Sequence, residues 1–169
     1  MITPTIVVAM ARHSRWQNAQ FFASASALSD AQRRADEGLF FGSLHATMSH
    51  LLWGDQIWLS RFANTPAPPV DSIGQSVTMI DAWEDLQAAR LKTDQQTTQW
   101  AAHVDSAWLN GELTWYSGSQ GRDVTRPTWL LVMHMFNHQT HHRGQIHGVL
   151  TRYGAPPLTS DIPFVPDDA

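Results

Sequence analysis

The sequence predicts an all-α protein, a four-helix bundle with a small β-hairpin inserted before its last helix. Three observations favour this fold. Four long segments consist largely of helix-forming residues and are separated by turn signals, and one short stretch between the third and fourth segments alternates like paired strands. No internal repeat of the kind found in solenoids is present. A length of 169 residues suits one domain, which we expect to span 1–169.

The first two helices are predicted from their composition and their ends. The first runs from about Thr5 to Leu28, without internal glycine or proline, and Ser29-Asp30 then indicates a break. The second is predicted from about Glu37 to Phe62. It ends at a segment whose three prolines forbid further helix, Asn64-Thr65-Pro66-Ala67-Pro68-Pro69.

The second half of the chain holds two further helices and the hairpin. Helical spacing of apolar residues predicts the third helix over roughly Ser76 to Val104. Short alternating pieces on either side of Gly118-Ser119-Gln120-Gly121 predict the hairpin, with strands at 112–116 and 122–125. The last helix is predicted from Pro127 to Tyr153, because proline suits a first turn and Gly154 suits a helix end.

Composition excludes several classes of partner. The net charge of −4 and the pI near 6.1 argue against binding nucleic acid or an anionic membrane surface. No apolar stretch has the roughly 18 residues needed to span a bilayer, and the first ten residues lack the basic flank of a signal peptide. We therefore expect a cytoplasmic protein. Because the chain has no cysteine, a metal site must use nitrogen and oxygen ligands.

Histidines are concentrated in the last predicted helix, which contains five of the nine. Side chains four residues apart lie on the same face of a helix, so two imidazoles with that spacing can reach one ion. Both His134/His138 and His138/His142 have this spacing. On a helical wheel His142 lies on the apolar side and His138 on its edge, whereas His134 and His141 point away. His138 and His142 are thus the pair predicted to face the interior.

A catalytic metal site with three protein ligands needs one more donor, which a facing helix can supply. The second helix offers His45 and His50, which point in directions about 140° apart, so at most one can join the site. The apolar stripe of that helix favours neither. If His50 faces the site, the helix is buried on two sides, as at a subunit interface.

The segment around the histidine pair resembles the hallmark of the DinB family of metal-binding helical bundles. In that hallmark a His-x-x-x-His pair runs directly into Arg-Gly-Gln, as His138 to Gln145 do here. The family's third ligand is a helix-two histidine followed five positions later by an acidic residue, which matches His50 and Asp55 but not His45. The resemblance also includes residues 11–16 of the first predicted helix, which contain two arginines and a tryptophan. It therefore covers most of the chain.

This resemblance implies an up-down-down-up bundle and a three-histidine site of His50, His138 and His142 for zinc, nickel or a similar divalent ion. It also implies a homodimer and, by analogy with some relatives, transfer chemistry that uses a low-molecular-weight thiol as cosubstrate on a small molecule. The chain's lack of cysteine is compatible with a thiol that comes from outside. No catalytic residue is assigned from the sequence.

Two other functions stay open at this stage. The first is hydrolysis by metal-activated water, which is disfavoured because Gln139 stands where a zincin-type His-Glu-x-x-His motif has its glutamate. The second is a protein that binds a metal or small ligand without turnover. Several polar residues have undecided roles: Gln145 could hydrogen-bond a ligand, Asp55 could orient a neighbour, and His45, His134 and His141 could line the approach. For Arg143 we expect a salt bridge or a packing role.

Overall fold

The computed structural model describes residues 2–167 and is mostly helical. The helices and strands are, in chain order, α1 (Pro4–Ser26), α2 (Asp30–Arg34), α3 (Leu44–Ala63), α4 (Ile73–Ser76), α5 (Trp83–Ala101), α6 (Ser106–Leu109), β1 (Glu112–Ser117), β2 (Arg122–Pro127), α7 (Thr128–Arg152) and a 3₁₀ turn (Ile162–Phe164). The helical class and the hairpin before the last helix are therefore confirmed.

The four long helices pack against one another, since α1 and α3 each contact both α5 and α7. The ends of three of them follow from local residues. The Thr3 side chain caps α1, the Ser43 side chain caps α3, and Gly154 with a φ of 79° follows the end of α7. Among the described residues, no helix combines the length and apolarity that crossing a membrane requires.

The hairpin pairs β1 and β2 antiparallel, from Glu112 opposite Pro127 to Ser117 opposite Arg122. Gly121 adopts a φ of 63° in the turn, a conformation that favours glycine. On one face Trp115 pairs with Val124 and contacts the helical core. The hairpin thus covers one end of the helices.

Two predicted helix starts are wrong. The second long helix begins at Leu44, not near Glu37, because Gly38 and Gly42 have φ values of 67° and 78° and fold residues 37–43 into a loop. The third begins at Trp83 instead of Ser76, which is the last residue of the separate short helix α4.

Two apolar clusters divide the interior along α3 and α7. One contains Met48 and Leu51 with Ile146 and Val149, and the other lies at the opposite ends of the same helices, around Leu59, Phe62, Leu131 and Met135. The middle of α3 therefore faces the middle of α7 between these clusters. The polar side chains predicted to carry function are in this middle layer.

Helix α3 is buried on more than one side, as the sequence predicted for a helix that presents His50 to the site. The second side is covered within the chain, because α2 and α4 pack on α3 in addition to α5 and α7. Its burial consequently gives no support to a subunit interface.

Candidate metal centre

His50 of α3 meets His138 and His142 of α7 between the two helices. Nε2 of His138 lies 3.3 Å from Nε2 of His50 and 3.1 Å from Nε2 of His142. The three residues form a group whose potential ligand atoms all lie within 4.8 Å of one another. The structure thus brings together the three histidines selected from the sequence, in a cluster that could hold a metal ion.

Hydrogen bonds at the far side of two rings set which nitrogen carries the proton. Ser76 Oγ donates its hydrogen to the Ile73 carbonyl at 2.6 Å, so the same oxygen accepts from Nδ1–H of His50 at 2.8 Å. In the same way Nδ1–H of His142 donates to Oε1 of Gln145 at 2.8 Å. Both rings therefore point an unprotonated Nε2, with its lone pair, at the centre of the cluster.

Glycine at position 54 makes room for the third ring. A Cβ at Gly54 would lie 2.9 Å from Cε1 and 3.3 Å from Nδ1 of His138. The imidazole therefore rests against the bare backbone of α3, one helical turn after His50. Any larger residue there must shift the His138 ring.

Burial keeps the cluster neutral. Desolvation, with the nearby His142 as a second cause, lowers the pKa of His50 to about 4. Desolvation followed by the neighbouring histidines lowers the pKa of His138 to about 3. The pKa of His142 is also lowered, chiefly by burial. All three are thus neutral near pH 7, which is the form that binds a metal ion.

Aromatic side chains shield the cluster from water. The centre of the Phe41 ring lies 4.1 Å from the ring centre of His50 and 5.6 Å from that of His142. The ring centres of Trp53 and His50 are 5.6 Å apart. His50 and His142 are almost completely buried, whereas His138 is partly exposed. Solvent and small molecules therefore have access from the His138 side.

The donor set fits a zinc-like divalent cation. Two nitrogens bound at about 2.0–2.1 Å in tetrahedral geometry are about 3.3 Å apart, close to the separations in the cluster. Three neutral imidazoles in a half-shielded site, two of them held by hydrogen bonds at the far nitrogen, have the ligand and supporting arrangement typical of such centres. Three protein donors leave one position of a tetrahedral ion open.

The other histidines considered from the sequence lie outside the cluster. His45 is buried and its Nε2 is 3.0 Å from the Ile80 carbonyl, so it does not line the approach. His134 and His141 are exposed, with rings 5.9 Å from His138 and 4.9 Å from His142 respectively, and both border the site. Burial, and secondarily the charge of Arg61, lowers the pKa of His134.

Asp55 and Arg143 belong to a separate buried network. Asp55 pairs with Arg90 at 2.5 Å and accepts a hydrogen bond from Gln139 at 2.8 Å. Arg143 is 3% exposed and donates to Asn18 and Gln139. The network also includes Asp94, which lies 2.8 Å from Arg90 and accepts from Asn18, and Ser14, which donates to Gln139. All four long helices therefore contribute to one polar layer beside the histidine cluster.

Sequence reasoning did anticipate Gln145, which hydrogen-bonds His142, but it missed three residues of the site. Ser76 was placed at the start of a long helix, and Phe41 was placed inside another, so neither was expected near a histidine. Gly54 carried a usable signal, because a glycine four residues after a histidine lies on the same helix face. The other two depend on how separate segments pack and left no local trace.

Comparison with known proteins agrees with this geometry. No curated protein was found to match the chain. The DinB family model matches residues 1–169, the full length of the sequence. The matched range includes His50 of α3 and the pair His138 and His142 of α7, which meet in the cluster. The chain therefore belongs to the DinB family.

Proposed function

We propose that the protein is a metal-dependent enzyme of the thiol transferase type, which acts on a small molecule at a divalent ion held by His50, His138 and His142. The observation that carries the proposal is the convergence of three Nε2 atoms, two of them fixed as lone-pair donors by Ser76 and Gln145. We further propose zinc or nickel as the ion.

When bound, such an ion supplies an open coordination position that lowers the pKa of an external thiol or of water and so provides a nucleophile at neutral pH. The protein's own residues orient and shield that position. Ser76 and Gln145 hold two imidazoles in place, and Phe41 excludes water from the buried side. Partly exposed His138 marks the side from which thiol and substrate enter.

Of the two residues beside the cluster that the sequence singled out, neither Asp55 nor Gln139 offers hydrolysis a general base, which favours a thiol as the nucleophile. Hydrolysis by activated water needs a general base within reach. Asp55 is 1% exposed and is engaged by Arg90 and Gln139, so it is not free to take a proton from water. Gln139, which occupies the place of the zincin glutamate, cannot act as a base. A thiol, by contrast, ionises more readily than water and depends less on such a base.

Further parts of the proposal follow from family membership and from the charge and hydropathy of the chain. We propose that α1, α3, α5 and α7 form a single up-down-down-up bundle domain, and that the protein is a cytoplasmic homodimer without nucleic-acid or membrane partners. A protein that only binds a metal or small ligand is the remaining alternative, and turnover distinguishes it from an enzyme.

Elemental analysis of two matched variants tests the metal centre. His142→Ala removes a proposed ligand, and His141→Ala removes the adjacent, exposed histidine of the same helix. We expect about one equivalent of divalent metal in the wild type and in His141→Ala, and strong loss of metal in His142→Ala, since three ligands hold the ion. Equal metal content in both variants would overturn the site.

Transfer assays on the metal-loaded protein then test the reaction class. Electrophilic small molecules are incubated with and without added low-molecular-weight thiol, and the products are identified by mass spectrometry. Thiol adducts that form with wild type, but not with His142→Ala, support the transferase. Hydrolysis products that need no thiol would replace it with the hydrolase, and absence of turnover would favour the binding protein.

A further inference from the structure

Arg61 is an arginine near the end of α3 whose charge has no acidic partner among residues 2–167. Its guanidinium lies 4.6 Å from the ring centre of Trp58 and 5.7 Å from that of Trp115. Within residues 2–167 it forms no ion pair and no hydrogen bond. The side chain is half-buried. Stacking on the two indoles compensates part of the lost hydration but leaves the N–H donors of the guanidinium unused.

Arg61 lies on the same helix face as His50 of the histidine cluster. Arg61 follows His50 by about three helical turns, so both residues lie on the same face of α3, roughly 16 Å apart along the helix axis. Gly54 and Trp58 occupy the same face between them. The arginine side chain leans toward the helix N-terminus, which shortens the gap between guanidinium and cluster.

Helix α7 lines the other side of the surface between the histidine cluster and Arg61. Gly54 lies against His138, and the ring of Trp58 is 5.3 Å from the ring of His134, so α7 runs antiparallel to α3 along this face. Trp115 of the hairpin contacts Trp58 with ring centres 5.5 Å apart and forms the far end. His134 is exposed, while His138, Trp58 and Arg61 are each partly exposed. A molecule at the surface can therefore contact the cluster and Arg61 simultaneously.

We propose that Arg61 binds the anionic group of the substrate or cosubstrate whose reacting atom is at the histidine cluster, with Trp58, Trp115 and His134 in contact with the apolar chain between the two ends. The ligand class is thus a small, elongated molecule with a carboxylate or similar anion about 10 Å from its metal-seeking group. The proposal rests on the metal-dependent function proposed above. A carboxylate suits the site because guanidinium donors match it bidentately.

Cobalt-substituted protein and a series of thiols with two different ends test this assignment. The probes are mercaptopropionate, mercaptohexanoate and the neutral mercaptohexanol, and each is titrated while the cobalt–sulfur absorption is recorded. We expect wild type to bind mercaptohexanoate about tenfold more tightly than mercaptohexanol, the gain of a charge-assisted contact. Mercaptopropionate is too short to reach Arg61 and gains no arginine-dependent affinity.

Three variants identify the arginine responsible. Arg61→Gln should remove the preference for mercaptohexanoate over mercaptohexanol, and retention of the cobalt absorption shows that the variant is folded. Arg61→Lys should keep part of the preference, because it retains the charge without the planar donors. Arg122→Gln, at an exposed arginine of the hairpin, should keep all of it.

Each result decides between the proposals. A preference that is absent in wild type, or that persists in Arg61→Gln, overturns the role of Arg61 and leaves the metal centre standing. Failure of the protein to bind cobalt, or of every thiol to change its spectrum, overturns the thiol-dependent function and the anion subsite together.

Discussion

Two polar clusters lie side by side in the middle of the helices, the histidines between α3 and α7 and the network around Arg90 among all four long helices, and the two differ in how their charges are balanced. In the network around Arg90, that arginine pairs with two carboxylates, Asp55 at 2.5 Å and Asp94 at 2.8 Å. In the histidine cluster, three neutral rings direct nitrogens at one another 3.1–3.3 Å apart, and the described residues offer no carboxylate to that centre.

The difference separates a structural element from a functional one. The network compensates its own charges, so it ties four helices together without any ligand. The cluster presents lone pairs that only a cation or a proton can share, and burial lowers the pKa of His138 to about 3, chiefly through desolvation, which disfavours the proton. Neighbouring positions of one helix, such as His138 and Gln139, thus contribute to different tasks.

The largest expected effect comes from breaking the compensated network. Arg90→Met removes the cation between Asp55 and Asp94 and leaves two buried carboxylates without it. Burial already raises the pKa of Asp94 to about 6, although Arg90 opposes that shift. We expect the free energy of unfolding, measured by urea denaturation of the metal-free protein, to fall by about 3–5 kcal/mol.

An exposed arginine serves as the control for this substitution. Arg34 pairs with Asp30 and Asp81, both of which are largely exposed. Arg34→Met should therefore change the free energy of unfolding by no more than about 1 kcal/mol. A loss in Arg90→Met as small as that in Arg34→Met would show that the network does not hold the helices together.

The two clusters also differ in how far the sequence reveals them. Helix geometry brings histidines four residues apart to one face, and the resemblance supplied the third candidate donor, His50, so the histidine cluster was predictable. The network was not, because its members are scattered over four helices, and only the packing of α1 against both α5 and α7 brings Asn18 to Asp94 and Arg143.

The fold shows the same division between local and distant causes. The hairpin was predicted almost to the residue because its alternation and turn are local signals. The start of α3 was missed because composition does not reveal that Gly38 and Gly42 adopt positive φ. The start of α5 was missed because Ser76 is held against α3 through its contacts with Ser49 and His50, which no local pattern encodes.

A smaller effect is expected for Gly54→Ala, which should weaken metal binding without lowering the stability of the metal-free protein. Gly54→Ala places a Cβ within 2.9 Å of the His138 ring and must move that ring. Metal affinity, measured by competition with a chelator, should fall about 10- to 100-fold, the cost typical of disturbing a ligand's support. The metal-free protein should not lose stability, because alanine favours a helix by about 1 kcal/mol over glycine.

Gly148→Ala is the matched control on α7. A Cβ at Gly148 would meet no atom within 4 Å, so this variant should gain the same helical preference and keep its metal affinity. Equal metal affinity in the two variants would show that close contact between α3 and His138 is not needed for the centre.

The smallest expected effect is that of mild acid on metal content. An ordinary imidazole with a pKa of about 6.5 is about thirtyfold more protonated than neutral at pH 5. Burial lowers the pKa of His50 to about 4 and that of His138 to about 3, so these two rings are still neutral at pH 5. Burial also lowers the pKa of His142. Because protons then compete less with the ion than at ordinary imidazoles, we expect most of the metal bound at pH 7 to remain after dialysis at pH 5.

The same shifts set the sign of the stability change in the metal-free protein. In the unfolded chain these rings are protonated near pH 6.5, whereas in the folded protein burial lowers the pKa of His50 to about 4 and that of His138 to about 3. The unfolded state therefore binds more protons than the folded state between about pH 6.5 and pH 3. The stability that neutral His50 and His138 contribute is complete above about pH 6.5 and is lost as the pH falls toward about 3. His138→Gln, which cannot be protonated, should therefore lose less stability than wild type between pH 6.5 and pH 4 in urea denaturation. An equal loss in both proteins would contradict the origin of these shifts in burial.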